Sequence, residues 1–539
     1  MKRFALIAVA ATALVGAASA AAEKPLCVGT DGGCFPTLGA ALAAAHDGDT
    51  ILVEPGTYAG GVTIDVSVDL VGTGPPGSTV VSGGGPVITI GSTSAMPTVS
   101  ISNLTITGGV TSSNPQSPQC GPDVPTCGPG YPSATALGGG IEAFPGSHVQ
   151  ISRSAITGNV ASPARSVSSV RAICPGNVPC PASFGDAAGI DNWGAMTLDD
   201  TTVSDNHASA VQSDGGGIVD EAGGSLALTH STVSGNTVSA ASPTGRFAAG
   251  GGIFVDGGAS LTMDNSSVTD NGSSTTNSFP HPYPTQSDGS TDQSNALGGG
   301  VFLADGSSAE IRNSHLDDNR VTDTNPAGES FGADAGLCDF GDVALSLDNS
   351  TVDGNSTIVD VLTTADSGPS GPSALEADSP AAIAHTSITG NSITVDASSG
   401  DAATVGAVGF FNESAAAVTV DHSVVADNTA TASTPTGSAS VLGAGIFDNG
   451  PLVLDHTDVT RNTGTAAGTT GLSQGGGISS GLFFGPSPLT LVHTEVTQNA
   501  LTGSAGVTLE GGGLYTVGFP VTLDHSDVAG NTPDDCVGC

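Results

Sequence analysis

The chain has 539 residues, with 10 basic against 51 acidic side chains and a formal net charge of −41. Nucleic acids and anionic membrane surfaces bind clustered Lys and Arg, so this charge balance argues against both as partners. Only 11% of the residues are charged, whereas Gly (79) and Pro (32) are abundant. This composition indicates many turns, few long helices, and a surface built mainly from Ser, Thr, Gly and Asn.

The first twenty residues, "MKRFALIAVAATALVGAASA", combine two basic residues, an apolar run and an A-x-A ending at Ala20. This pattern predicts a secretory signal peptide over residues 1–20, removed after Ala20. The run is shorter and richer in Ala than a membrane span of roughly 20 strongly apolar residues. We therefore expect an exported protein, secreted or at the cell surface, with no membrane span after processing.

Eight of the nine cysteines fall in close pairs, and Cys338 stands alone. In an exported chain, such spacing predicts local disulfides. The terminal "CVGC" also has the spacing of a zinc knuckle, but no second C-x-x-C completes four ligands, so a disulfide is favoured there. The predicted pairs are Cys27 with Cys34, Cys120 with Cys127, Cys174 with Cys180, and Cys536 with Cys539.

The stretch "TLGAALAAAHDGDTILVEPGTY" (37–58) resembles the opening of right-handed parallel β-helix proteins of the pectin-lyase-like class. The resemblance implies a cap region over residues 21–48, with a short amphipathic helix covering the first coil. Its apolar stripe would be Leu38, Ala41, Leu42 and Ala45. The class contains lyases, hydrolases, adhesins and proteins without a known reaction, so the resemblance specifies a fold and leaves the activity open.

Residues 49–531 are predicted to form one repetitive domain, in which the units ending at Asn159 to Asn531 share the formula apolar-x-apolar-x-x-[ST]-x-aliphatic-x-x-Asn at spacings of 30 to 48 residues. Alternation at period two predicts strands with one buried face, and the two-residue step before Ser/Thr predicts a bend. A further strand opens most units as "GGGI" or a variant of it. The repeat asparagines are Asn159, Asn206, Asn236, Asn271, Asn319, Asn355, Asn391, Asn428, Asn462, Asn499 and Asn531.

None of these strands can bury its apolar face alone, so the units must stack on one another. We predict an all-β, single-stranded right-handed parallel β-helix of about 12–14 coils. Its cross-section would be triangular, its internal ladders would consist of Ser, Thr and Asn, and its length would be on the order of 60–70 Å. Long Ser/Thr/Pro/Gly-rich loops are inserted between the coils, and residues 532–539 form a C-terminal tail.

Histidine recurs at one column, six residues before the repeat Asn. Asn, Asp and His are the non-glycine residues enriched in the left-handed region, so a bend that needs a positive φ explains the column. A metal ladder is the second interpretation, because five consecutive units carry histidine about 4.8 Å apart. The candidate ligands are His385, His422, His456, His493 and His525.

Aromatic residues follow the "GGGI" strand in several units. An exposed row of rings would stack on sugar rings and bind a polysaccharide or cell-surface glycan. Alternatively, the segments between Asn and "GGG" dock on the rings and bury them. The candidate binding residues are Phe254, Phe302, Phe411, Phe447 and Tyr515.

Acidic residues lie on this strand or just after it, and Asp191, Asp220, Asp256 and Asp305 are the catalytic candidates. Two carboxylates about 5–10 Å apart would suit glycoside hydrolysis. Several precede Gly, however, which is ordinary turn chemistry. Stacked Asp turns would also suit Ca²⁺, although no cofactor is required. Basic residues are missing from the "GGGI" strand, as are the paired-Asp and His-Gly phrases of polygalacturonases.

These observations favour an exported rod without catalysis, serving as a surface, matrix or adhesin-like protein that contacts glycans. The alternative function is a polysaccharide lyase or glycoside hydrolase acting from the "GGGI" face. The sequence leaves the enzyme question open and leans against catalysis.

Overall fold

A computed structural model describes residues 25–112, 134–162, 183–210, 212–241, 246–276, 293–325, 329–341, 343–361, 374–397, 402–481, 488–518 and 521–539. The predicted signal peptide (1–20) lies outside the described residues. Nearly all regular structure is β, and its strands pair in parallel.

Two of the four predicted disulfides fall within the described residues, and both are present. Cys27 is bonded to Cys34, and Cys536 is bonded to Cys539. The other two predicted pairs, Cys120 with Cys127 and Cys174 with Cys180, lie outside the described residues. These two pairings therefore stay predictions from the spacing of the cysteines.

A complete coil has five strands, which stack into five sheets, numbered here in the order in which a coil visits them. Three sheets match the strands predicted from the repeat. Sheet 1 consists of Leu26–Val28, Asp49–Val53, Val68–Gly72, Thr98–Ser102, His148–Ser152, Ala195–Asp199, Ser225–Thr229, Ser260–Asp264, Ser308–Arg312, Leu345–Asp348, Ala381–Ala384, Val418–Asp421, Leu452–Asp455, Leu489–Val492 and Val521–Asp524. Sheet 2 consists of Gly56–Ala59, Thr79–Ser82, Thr105–Thr107, Ala155–Thr157, Thr202–Ser204, Thr232–Ser234 and Ser267–Thr269, then Ser387–Thr389, Val424–Ala426, Asp458–Thr460, Glu495–Thr497 and Asp527–Ala529. Single parallel bridges through His315 and Thr351 join its two parts.

Sheet 5 contains the "GGGI" strands and has 14 members. They are Val62–Ile64, Ile88–Ile90, Ile141–Ala143, Ile190–Asn192, Ile218–Asp220, Ile253–Val255, Val301–Leu303, Leu337–Asp339, Leu375–Ala377, Phe410–Asn412, Ile446–Asp448, Ile478–Ser480, Leu514–Thr516 and Cys536–Val537. Sheets 1, 2 and 5 enclose one continuous core of aliphatic side chains, for example Leu228, Val233 and Ile218 in a single region. This arrangement confirms the predicted stacked parallel solenoid.

Sheets 3 and 4 occupy segments that the sequence analysis had assigned to loops. Sheet 3 consists of Val110–Thr111, Val160–Ala161, His207–Ala210, Thr237–Ala241, Gly272–Thr276, Arg320–Asn325, Ser356–Val361, Ser392–Ala397, Thr429–Ser433, Thr463–Ala467 and Ala500–Gly503. Sheet 4 consists of Ala134–Leu137, Ser183–Asp186, Gln212–Asp214, Arg246–Ala249, Gln293–Leu297 and Glu329–Ala333, then Ala402–Val405 with Ser438–Val441, and Gly471–Gln474 with Val507–Glu510.

The two extra sheets pack against each other through small side chains. Ala208, Val238, Ala240 and Ala248 form one buried cluster, and Val359, Ile393 and Val395 belong to another. Ala and Ser at alternate positions carry a weak strand signal, because β-propensity largely reflects the packing of larger side chains. The prediction that long loops are inserted between the coils is therefore wrong for these segments, which form strands, and a coil has up to five strands.

The bend column takes up the left-handed conformation in all twelve units. Its φ values run from 45° to 56°, for Asn103, Arg153, Asp200, His230, Asn265, Asn313, Asn349, His385, His422, His456, His493 and His525. The residue just before the repeat Asn also has a positive φ, as at Asp205 and Gly235, which explains the recurring "GN" and "DN". The conformational interpretation of the histidine column is thus confirmed.

The repeat asparagines form a buried ladder along the stack. Each side-chain Nδ2 donates to Oδ1 of the Asn in the next coil at 2.9–3.2 Å, from Asn159 to Asn531. Each Oδ1 also accepts from the backbone N–H of the Asn before it. Asp535 receives the last bonds, from Asn531. The predicted polar ladder is confirmed, and it satisfies groups that have no access to water.

Both ends of the stack are closed by local structure. Thr37 caps the helix Leu38–Ala44, which buries Leu38, Ala41 and Leu42 against the first coil. Pairing starts before residue 49 and continues after residue 531, because Leu26–Val28 joins sheet 1 and Cys536–Val537 joins sheet 5. Among the described residues, no helix has the length and apolarity to cross a bilayer.

Candidate functional site

The predicted aromatic row is buried between sheet 5 and the ends of the sheet 4 strands. Phe254, Phe302, Phe411 and Phe447 are at most 8% exposed, and only Tyr515 is half-buried. Phe254 stacks on Phe302 at 5.1 Å, and Phe411 stacks on Phe447 at 5.2 Å. The expectation of exposure is wrong for the four phenylalanines, because strands of sheet 4 cover them. Their arrangement matches the alternative that the neighbouring segments dock on the rings.

The four catalytic candidates occupy two different kinds of position. Asp191 and Asp220 are fully buried, whereas Asp256 and Asp305 lie in the turns that follow sheet 5. Asp220 accepts a hydrogen bond from Asn192 at 2.6 Å, and Asp256 accepts one from Gly257 N–H at 2.8 Å. Burial raises the pKa of Asp220 to about 7. The four carboxyl groups therefore do not form a single solvent-accessible site along a substrate groove.

A first acid cluster, comprising Asp186, Asp191, Asp214 and Glu221, lies between sheets 4 and 5. Burial, reinforced by Glu142 and Asp186, raises the pKa of Asp191 well above its usual range, and neither of its oxygens has a hydrogen-bond partner of good geometry. Burial also raises the pKa of Asp186 to about 7 and that of Glu221 to about 10. Burial of these groups in one space favours their protonated forms, since charging them together there is unfavourable.

A second group, the thiol–acid cluster, brings together Asp334, Cys338, Glu376, Asp378 and Glu413. One ligand atom from each of Asp334, Cys338 and Glu376 lies within 4.8 Å of the others, and Glu376, Asp378 and Glu413 are related in the same way. Cys338 Sγ is 3.5 Å from Glu376 Oε2. Asp334, Cys338 and Glu376 are at most 4% exposed. The cluster is thus one of the places where three possible metal-ligand atoms lie close together.

The cluster arises where two neighbouring coils depart from the repeat. In register, Cys338 pairs with Phe302 and Glu376 pairs with Phe411. Asp334 occupies the column of the first Gly of "GGG" and keeps the positive φ of that column, 55°. Because Cys is much smaller than Phe, the space that a ring fills in other coils is open to the Asp334 carboxylate.

Sequence analysis missed Glu376, Asp334 and Glu413 as members of one site. The strand Leu375–Ala377 lacks "GGG", so the sequence pattern did not place Glu376 in the same column as Phe302 and Phe411. The repeat nevertheless predicts this strand, because the successive repeat asparagines Asn355 and Asn391 require a sheet 5 strand between them. Burial, reinforced by Asp378 and Glu413, raises the pKa of Asp334 to about 8.

The predicted metal histidines form an exposed row on the edge between sheets 1 and 2. Their rings stack face to face at 4.5–5.5 Å from His385 to His525. Nδ1 of His422 and Nδ1 of His456 each lie 2.7 Å from the preceding aspartate and must donate to it. Nε2 then points away from that carboxylate. Two sets bring three ligand atoms within 4.8 Å, namely Asp421 with His422 and His456, and Asp455 with His456 and His493. The metal role of this row stays a prediction.

No protein-family profile matches the chain, and no curated protein sequence matches it significantly.

Proposed function

We propose that the protein is an exported, non-catalytic rod built as a right-handed, single-stranded β-helix of the pectin-lyase-like class. The handedness follows the strong preference of parallel crossover connections for the right-handed form. In this proposal the rod is a surface or extracellular matrix component that contacts glycans. Its large negative charge keeps neighbouring rods apart in solution.

The observation that supports a structural role is the position of the candidate acids. Asp191 and Asp220 are enclosed by sheets, and the Asp256 carboxylate closes its own turn. Glycoside hydrolysis needs two carboxyl groups on either side of a sugar bond, which requires access from solvent. Asp220 also contributes to the fold, because it accepts a hydrogen bond from Asn192.

For the glycan contact, the outer face of sheet 2 is the better candidate now that the phenylalanines are placed inside. Rows of hydroxyl groups run along it, and Ser204 Oγ donates to Thr157 Oγ1 at 3.2 Å while Ser267 Oγ donates to Thr232 Oγ1 at 3.2 Å. Flat hydroxyl rows suit hydrogen bonding to sugar hydroxyls. Ca²⁺ held by the acidic turns at Asp256 and Asp305 would add a bridge to acidic polysaccharides.

A polysaccharide lyase or glycoside hydrolase acting at sheet 5 is the second candidate. One observation favours it: Asp186 and Asp220 have pKa values raised to about 7, and a general acid needs a pKa near the working pH. This function requires the strands of sheet 4 to move away from sheet 5.

The two functions are separated by a glycan array combined with reducing-sugar and unsaturated-uronate assays on the full chain. We expect binding to a subset of glycans without turnover. Turnover that disappears in Asp220→Asn but persists in Asp305→Asn would contradict the non-catalytic proposal, because Asp305 lies in an exposed turn. Absence of any glycan binding would remove the glycan contact and leave the rod as a scaffold.

A further inference from the structure

The thiol–acid cluster concentrates three departures from the repeat at one point of the fold. Asp replaces Gly at 334, Cys replaces the aromatic residue at 338, and Glu replaces it at 376. The three residues come from two successive coils, and Glu413 reaches the cluster from a third. In the adjoining coils, the same column holds Phe302, which shares an apolar cluster with Cys338, and Phe411. Relative to these neighbours, Asp334, Cys338 and Glu376 bring ligand-type side chains to this point of the fold.

The charge of these buried groups has to be balanced. Asp334 is fully buried, and neither of its oxygens has a hydrogen-bond partner of good geometry. The Cys338 thiol and Glu376 are neighbours of this carboxyl group, and Cys338 Sγ lies 3.5 Å from Glu376 Oε2. Leaving a carboxylate buried and uncompensated is strongly unfavourable, so either protons or a cation must balance the cluster.

The chemical types of the ligand atoms indicate which cation would bind. Calcium and magnesium take oxygen ligands, whereas zinc accepts thiolate sulfur together with carboxylate oxygen. Two ligand atoms on one tetrahedral zinc lie about 3.5 Å apart, given Zn–S near 2.3 Å and Zn–O near 2.0–2.2 Å. The observed separation between Cys338 Sγ and Glu376 Oε2 is 3.5 Å. Among the described cysteines, Cys338 is also the one without a disulfide.

We propose that Asp334, Cys338 and Glu376 bind one Zn²⁺ ion as a structural site, with a fourth ligand from Asp378 or Glu413. Such an ion ties two successive coils together through Asp334, Cys338 and Glu376, and Glu413 as the fourth ligand would add a third coil. This site is independent of the glycan and enzyme hypotheses.

The exposed histidine row is a weaker zinc site for a geometric reason. A metal must lie in the plane of each imidazole that binds it, and the rings of His422 and His456 are stacked within 9° of parallel at 4.6 Å. Their lone pairs therefore run side by side and do not converge on one ion.

The test uses the full chain, stripped of metal by a chelator and titrated with Zn²⁺ while native mass spectrometry and thermal unfolding are recorded. We expect one tightly bound zinc per chain and a higher Tm. Co²⁺ in place of zinc should give a thiolate-to-cobalt charge-transfer absorption. Cys338→Ser should abolish this band, and Glu376→Gln should weaken zinc binding at least tenfold.

Asp220→Asn and His456→Asn are the matched controls, since each alters a buried acid or an exposed histidine outside the cluster, and both should keep the zinc. Folded wild-type chain that binds no Zn²⁺, a Co²⁺ adduct without the thiolate band, or zinc that is lost in His456→Asn would each overturn the proposal. Where Cys338→Ser does not fold, Glu376→Gln and the wild-type cobalt spectrum decide.

Discussion

At the scale of single residues, the backbone explains where histidine occurs. His456 has φ 47°, and the other members of its column have φ values between 45° and 56° whether they are Asn, Asp, Arg or His. The side chain stays exposed and donates to Asp455. A residue type that tolerates the left-handed region is therefore required, and the imidazole itself is one of several solutions.

Replacing His456 tests this at one position. His456→Asn should change the free energy of unfolding by less than about 0.5 kcal/mol, because Asn also tolerates a positive φ. His456→Val should cost about 1–2 kcal/mol, since a β-branched residue is strained there. Denaturant unfolding of both variants measures the difference. Equal stability of the Asn and Val variants would contradict a conformational role.

At the scale of elements, the turn between sheets 4 and 5 and the Asn ladder are built together. A Cβ added to Gly217 would lie 2.5 Å from the Gly252 carbonyl oxygen and 2.9 Å from Asn236 Nδ2. At Gly217 the ladder amide and the next coil therefore fill the space that a side chain would need. Sheet 2, sheet 5 and the ladder thus constrain one another in the coils that carry this glycine, whereas Ala374 occupies the column in one coil.

The middle of the ladder should be its most sensitive part. Asn319→Ala removes the acceptor for Asn271 and the donor to Val268, leaving several buried polar groups unsatisfied. We expect a loss of roughly 3–5 kcal/mol. Asn531→Ala should cost less, because its groups lie at the end of the stack, where water can replace the lost bonds. Thermal and denaturant unfolding of the two variants, compared with wild type, test the ranking; equal losses would contradict it.

At the scale of the whole molecule, burial by the stacked sheets raises the pKa values of several acidic residues. The second layer of sheets 3 and 4 covers Asp191, which shares the outward column of Val219. Asp220 and Asp448 instead face the inside of the coil, in the same column as the core residues Val255 and Ala377. Burial there raises the pKa of Asp220 to about 7 and that of Asp448 to about 7. Their unfolded-state pKa is near 3.9, so the folded chain keeps these protons at a pH where the unfolded chain has released them.

The contribution of Asp220 and Asp448 to the free energy of unfolding should therefore be greatest below about pH 4 and should fall as the pH rises towards 7. Each such group contributes at most about 1.4 kcal/mol per pH unit in that window. Tm measured from pH 4 to pH 8 should decline less steeply in the double variant that combines Asp220→Asn with Asp448→Asn. Asp305→Asn, in an exposed turn, should keep the wild-type slope. A double variant with the same slope as wild type would contradict this account.

The sequence by itself determined the parallel solenoid, the positive-φ column that includes His456, and the ladder from Asn159 to Asn531, because each follows from a period or a strict residue preference within a unit. Only the tertiary structure decided that small Ala- and Ser-rich segments form sheets 3 and 4, since that choice depends on two weak strands covering each other. The same layer buries Phe254 and Phe302 and brings Asp334, Cys338 and Glu376 together. These contacts join residues about 40 positions apart, which only the register of stacked coils brings into contact.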